Sequence, residues 1–126
     1  MERQAIRVDG AAAVGPYSHA VRAGEFLYLS GQTPLNPATG KLLGGGVKEQ
    51  ARQCFHNLFK VLEAASMGPG NVVKVNVFLT NMEDFADMNE VYASQFEKPY
   101  PARTTIGVAA LPLGARIEIE MVARKE

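Results

Sequence analysis

A fixed cation and two carboxylates lie close together in the last quarter of the chain. Arg103 begins one extended segment, and Glu118 and Glu120 occupy alternate positions of a second one. A guanidinium binds a carboxylate through paired hydrogen bonds and stays charged at any working pH. A glutamate whose pKa is raised by partial burial can act as a general acid or base. These residue types predict a site that binds a small carboxylate and moves protons beside it.

Strand periodicity predicts that these three charged side chains share one face of a sheet. Successive side chains of a strand point to opposite faces, so Glu118 and Glu120 share a face, and Arg103 shares one with Thr105. The intervening residues 111–115 contain Pro and Gly, which is typical of a turn in an antiparallel hairpin. We therefore expect Arg103 on the same face as the two glutamates.

Each candidate residue also has a purely structural interpretation. By spacing alone, Arg103 fits an ion pair with Glu118 or Glu120 equally well, and Glu118 fits a solvated strand carboxylate. Tyr17 could donate its hydroxyl to a ligand or pack half-buried in a loop. Asn89 could face a cleft or solvent from a helix. Spacing leaves these alternatives open.

Composition limits the kind of protein that this chain can be. With 126 residues, of which 47% are hydrophobic, residues 1–126 should form one domain with its own core. Lys plus Arg and Asp plus Glu both number 13, so the absence of net charge disfavours nucleic acid as the main partner. The single cysteine, Cys54, is predicted to be a small core residue. Without a long apolar segment, we predict a cytoplasmic protein with no membrane partner.

No motif for a metal or nucleotide is recognisable. His19, His56 and Cys54 lack the spacing of metal ligands. The three glycines at 44–46 are not followed by the Lys-Ser/Thr pair of a phosphate-binding loop. Ser30 has no histidine and carboxylate that the sequence can assign to it. We predict no metal and no cofactor.

The surrounding elements follow from periodicity and from turn residues. The predicted elements, in chain order, are strands over 5–8, 19–22 and 26–30, a helix over 47–65, a strand over 72–80, a helix from Asn81 to before Pro99, and the two final strands. Val73, Val75, Val77 and Leu79 should share the buried face of their strand.

This order predicts an α+β domain in which two helices cover one face of a mixed sheet. The other face should be partly polar and covered by self-association. Its predicted members are Lys74, Asn76, Phe78, Arg103, Thr105, Glu118, Glu120 and Val122.

Short motifs follow one another in a fixed order from about residue 13 to residue 123. They include Gly15-Pro16-Tyr17-Ser18, Ser30-Gly31-Gln32, Asn76-Val77-Phe78-Leu79, Pro101-Ala102-Arg103 and Ile117-Glu118-Ile119-Glu120. Together they resemble the RidA family, also called the YjgF/YER057c/UK114 family. Collinearity over nearly the whole chain is far more specific than any single motif.

The resemblance implies a chorismate-mutase-like (YjgF-like) fold and a homotrimer with sites between subunits. It also implies 2-iminobutanoate/2-iminopropanoate deaminase activity without metal or organic cofactor. The substrates would be reactive enamines and imines released by pyridoxal-phosphate dehydratases, and the products 2-oxo acids and ammonia. The alternative is a non-catalytic trimer that binds small 2-oxo acids as a sensor.

The resemblance also implies roles for individual residues. Arg103 matches the arginine that binds the substrate carboxylate, and Glu118 matches the glutamate that positions or activates water, which leaves Glu120 a structural role. Other cleft positions are matched by Tyr17, Ser30, Gly31 and Asn89, with Gly31 acting through its backbone.

One substrate-contacting position departs from the family. Thr105 stands where many members have cysteine, so a thiolate cannot act there. The threonine either replaces the volume of the cysteine on a strand or changes which ligand is preferred.

Overall fold

The computed structural model describes residues 3–8 and 15–126. Residues 1–2 and most of the small-residue stretch before Tyr17, where the family resemblance begins, lie outside the described residues. The strands are β1 (Gln4–Ile6), β2 (Ala20–Ala23), β3 (Phe26–Gln32), β4 (Leu35–Asn36), β5 (Lys41–Leu42), β6 (Val72–Leu79), β7 (Ala102–Gly107) and β8 (Ile117–Arg124). The helices are α1 (Val47–Ala64) and α2 (Phe85–Gln95).

Six of the strands form a mixed sheet in the order β1-β2-β3-β8-β6-β7. Its neighbours are antiparallel except for β6 and β7, which run parallel. β4 and β5 pair separately beside it. The apolar face of the sheet and the apolar sides of both helices join in one core, which confirms the predicted α+β architecture.

Helix α1 buries the predicted apolar stripe. Its first turn is fixed by Glu49, whose Oε2 accepts a hydrogen bond from the Gly46 N–H at 3.1 Å. Cys54 is fully buried as predicted, and burial raises the pKa of its thiol, which therefore stays protonated. No helix in the described part of the chain is long and apolar enough to cross a membrane.

An aromatic cluster joins α1 to α2. The ring centroid of Phe55 lies 5.8 Å from that of Tyr92 and 5.7 Å from that of Phe96, both edge to face. Phe59 lies 6.0 Å from Phe96. Such pairs add about 0.5–1.5 kcal/mol each beyond the burial of apolar area. The cluster therefore holds the two helices at a fixed separation on the sheet.

The predicted hairpin between the last two strands is wrong, because β6 lies between β7 and β8. The connecting residues 108–116 cross the end of β6 instead of closing a tight turn. The Val108 N–H donates to the Leu79 carbonyl at 2.9 Å, and the Thr80 N–H donates to the Arg116 carbonyl at 3.2 Å. A connection of this length can cross a strand end and leave both edges of β6 paired.

The expected burial of Val73 is also wrong. Val73 is 43% exposed, and Val72 takes the core position. The register of β6 against β8 shifts between Val72 and Lys74, where the strand holds one extra residue. Such a bulge reverses the faces of the residues before it.

We predict that Phe55→Ala lowers the free energy of unfolding by about 3–5 kcal/mol, because the truncation leaves a cavity between the two helices and the sheet. Chemical denaturation measures the change. Phe26→Ala is the matched control, since its ring is 37% exposed and lies outside the cluster. Equal losses for the two variants would contradict a stabilising role for the cluster.

Candidate functional site

Arg103 lies on the helix side of the sheet. Strand pairing aligns Arg103 with Val75, and Val75 with Met121. Val75 and Met121 are buried on the face that the helices cover, so Arg103 shares that face. Its guanidinium carbon lies 4.7 Å from the ring centroid of Tyr92. One guanidinium nitrogen, Nη1, lies 4.0 Å from the sulfur of Met88 on the same helix. The half-buried side chain of Arg103 is therefore held against α2.

The prediction that Arg103 shares a face with the glutamates is wrong. Glu118 is aligned with Phe78, and Glu120 with Asn76, on the face turned away from the helices. The register of β7 places Thr104, not Arg103, beside Asn76. The hairpin assumption caused the error, because the intervening strand sets the register of β7.

The alternative of a structural ion pair for Arg103 is also excluded within residues 3–8 and 15–126, where no ion pair involves it. Arg116 shows the contrasting case. Its Nη2 lies 2.9 Å and 3.1 Å from the two carboxylate oxygens of Asp84, which is largely buried. Among the described residues, a carboxylate neutralises the charge of Arg116, whereas none pairs with Arg103.

The carboxylate of Glu118 lies over the backbone of Gly31. A Cβ atom at Gly31 would stand 3.0 Å from Cδ and 3.1 Å from Oε2 of Glu118, so a side chain there would displace the carboxylate. Burial, and secondly the nearby charge of Glu120, raise the pKa of Glu118 above its usual range. Glu120 accepts a hydrogen bond from Asn76 Nδ2 at 3.3 Å, which fits a structural role.

Tyr17, Gly31 and Glu118 line a cavity of about 900 Å³. Ser30, beside Gly31, shapes the loop at this end: its hydroxyl donates to the Ser18 carbonyl at 2.6 Å. We call Tyr17, Ser30, Gly31 and Glu118 the glutamate group. The structure brings these four predicted residues together around the end of β3.

The remaining predicted residues lie with Arg103 beside α2. Thr105 follows Arg103 on the same face of β7, aligned with the buried Val77. Thr105 Oγ1 and Asn89 Oδ1 are buried and have no hydrogen-bond partner in the described chain. We call Arg103, Thr105 and Asn89 the arginine group. β6 lies between the strands of Arg103 and Glu118, so these two strands are about 10 Å apart, and the two side chains point to opposite faces.

Sequence reasoning assigned a site role to only three of the described residues that line the cavity, and it missed the others, including Asn57 and Leu113. Asn57 lines it from α1 and fixes the neighbouring hairpin, because its Nδ2 donates to the Leu35 carbonyl at 2.9 Å. Leu113 is 65% exposed at the rim and has a φ of 60°, uncommon for leucine. The Pro-Leu-Gly sequence of the turn could have indicated Leu113, but no sequence motif indicates Asn57.

The described residues contain no group of three or more His, Cys, Asp or Glu side chains that could hold a metal ion.

Comparison with known proteins places this geometry in a family. The family described as Endoribonuclease L-PSP matches residues 8–125. A RutC family protein of Pyrococcus horikoshii is 48% identical over 113 residues, which cover 90% of each chain. A Mus musculus protein named 2-iminobutanoate/2-iminopropanoate deaminase is 48% identical over 112 residues, covering 89% of this chain and 83% of that one.

A solved structure agrees with these relatives. The crystal structure of RidA from the Antarctic bacterium Psychrobacter sp. superposes with a TM-score of 0.92 at 47% identity, covering 97% of this chain and 99% of that one. The fold and the sequence thus match over nearly the whole chain. The chain therefore belongs to the RidA family, whose sequence description is Endoribonuclease L-PSP.

Proposed function

We propose that this chain hydrolyses 2-imino acids, such as 2-iminobutanoate and 2-iminopropanoate, to 2-oxo acids and ammonia. The observation that carries the proposal is the half-buried guanidinium of Arg103, which has no carboxylate partner in the described chain. It is available for a ligand carboxylate. The names of relatives such as the Mus musculus deaminase point to this substrate class.

The chemistry requires little beyond orientation and proton transfer. Arg103 would bind the substrate carboxylate through two parallel hydrogen bonds. Water adds to the electrophilic imine carbon, with its proton accepted by the Glu118 carboxylate. The nitrogen of the resulting tetrahedral adduct takes that proton. The hydroxyl proton of the adduct is then transferred to nitrogen by way of Glu118 as the C–N bond breaks, which releases ammonia and leaves the 2-oxo acid. The raised pKa of Glu118 makes its carboxylate a stronger base for accepting the proton from water.

We further propose that the site forms between copies of the chain, in a homotrimer. Arg103 and Glu118 point to opposite faces of one sheet, so one chain alone does not aim them at a common ligand. The face turned away from the helices carries exposed apolar side chains, among them Tyr28, 50% exposed, and Ile106, 45% exposed. Self-association would cover these groups.

Activity should depend on Arg103. With a threonine dehydratase supplying the imine, the protein should accelerate the decay of the imine. The decay is measured as a decrease in semicarbazone formation. Arg103→Ala should lower kcat/KM by about 30-fold to several thousand-fold, the range for losing a desolvated charge pair. Arg124→Ala is the control, since Arg124 is exposed and pairs with Glu25.

Two results would contradict the assignment to deamination. One is no acceleration by the wild-type protein at micromolar concentration, and the other is an unchanged rate in Arg103→Ala. Saturable binding of 2-oxobutanoate without turnover would instead favour the 2-oxo acid sensor.

A shared site predicts complementation between two impaired variants. Arg103→Ala and Glu118→Gln should each have little activity alone. After unfolding and refolding together, random mixing into trimers should restore about a quarter of the wild-type activity, because mixed trimers contain one site with both residues intact. Absence of recovery, with mixed trimers detected by native mass spectrometry, would place both residues in a site within one chain.

Stability should reveal the raised pKa of Glu118. The carboxyl group of Glu118 binds its proton more tightly in the folded protein than in the unfolded chain, where glutamates have a pKa of about 4.3. As the pH rises above that value, the ionisation of Glu118 therefore lowers the free energy of unfolding. Glu118→Gln should therefore raise Tm at pH 7, and the gain should vanish near pH 4. A variant less stable than wild type at pH 7 would contradict this environment for Glu118.

A further inference from the structure

In the part of the chain that the structure describes, Arg103 has no counter-ion. The ion pairs among residues 3–8 and 15–126 use Lys48, Lys60, Arg116 and Arg124 as their cations. Arg103 instead has its guanidinium carbon 4.7 Å from the ring centroid of Tyr92 and 5.6 Å from that of Phe85. Both separations lie within the range of a cation–π interaction.

The ring of Tyr92 is a rigid support. Tyr92 is 5% exposed, and its centroid lies 5.1 Å from that of Phe96 and 5.8 Å from that of Phe55. Phe55 lies on α1 and Phe96 directly follows α2, so the ring cannot move without repacking the core. Phe85, at the start of α2, is half-buried and supplies the second ring.

We infer that Tyr92 and Phe85 are positioning residues of the carboxylate site: their rings hold the guanidinium of Arg103 in the place of a counter-ion, which leaves its charge for the ligand. The inference rests on the proposed function and deepens it. Asp84 holds Arg116 through an ion pair, and a carboxylate partner of this kind would hold the guanidinium of Arg103 equally well. It would also compete with the ligand for the same hydrogen bonds.

The ring of Tyr92, and not its hydroxyl, carries this role. The hydroxyl oxygen is buried and has no hydrogen-bond partner in the described chain, whereas the ring lies against the guanidinium of Arg103. Burial raises the pKa of Tyr92, although the charge of Arg103 acts in the opposite direction, so the phenol remains neutral at working pH. A neutral ring supports the cation without cancelling its charge.

The test is the affinity of the full chain for 2-oxobutanoate, a stable carboxylate probe, measured by calorimetry. Tyr92→Phe keeps the ring and should bind within about twofold of wild type. Tyr92→Leu should bind about 5- to 30-fold more weakly, the loss expected from removing a partly desolvated cation–π contact. Phe85→Leu should weaken binding in the same direction, and it serves as the test if Tyr92→Leu does not fold. Unchanged affinity in a folded ring-deficient variant would overturn the inference.

A second measurement separates this inference from the proposed activity. The Nε–H signal of Arg103 in proton–nitrogen NMR spectra should show a ring-current shift in wild type and in Tyr92→Phe, reduced in Tyr92→Leu. Failure of the wild type to deaminate imines would contradict the proposed function alone. An Arg103 signal that does not respond to the loss of either ring would overturn the positioning role, whatever the activity.

Discussion

Burial of one sheet face beneath two helices is the constraint on which the rest of the structure depends. The aromatic cluster centred on Phe55 joins α1 to α2, and both helices belong to one core with the apolar inward side chains of β3, β6 and β8. Because α2 is fixed in this way, its residues Tyr92 and Phe85 stand in a defined place beside β7. The position of Arg103 thus follows from the packing of the core.

The central position of β6 has the largest consequence for the candidate site. β6 pairs with β7 on one edge and with β8 on the other, so Arg103 and Glu118 belong to strands that never touch. The parallel register turns Arg103 toward the helices, while Glu118 faces away from them. Within one chain, Arg103 and Glu118 therefore do not face a common ligand, and this observation is the basis of the proposed shared site. They also have different electrostatic settings: Arg103 lies among neutral rings, and Glu118 lies near Glu120.

Elements with a long and regular pattern could be predicted from the sequence. The stripe of α1, with Phe55 and Cys54 inside, and the alternation of Ile117–Arg124 both appear as expected, because burial of one face imposes its period on the residues. Val73 was misplaced because a bulge leaves no mark in the alternation of apolar residues. The candidate residues themselves were identifiable from their motifs, but Tyr92 passed for an ordinary core residue because its helical spacing fits that role equally well.

The sequence by itself determined the α+β class, the family and which residue types are available to bind a carboxylate and move a proton. These properties depend on local periodicity and on motifs that short stretches of chain carry. Only the tertiary structure decided that Arg103 and Glu118 lie on opposite faces and that two aromatic rings lie against the guanidinium of Arg103. Strand order and register depend on hydrogen bonds between residues far apart in the chain. The alternation of side chains within one strand does not show which strand pairs with it.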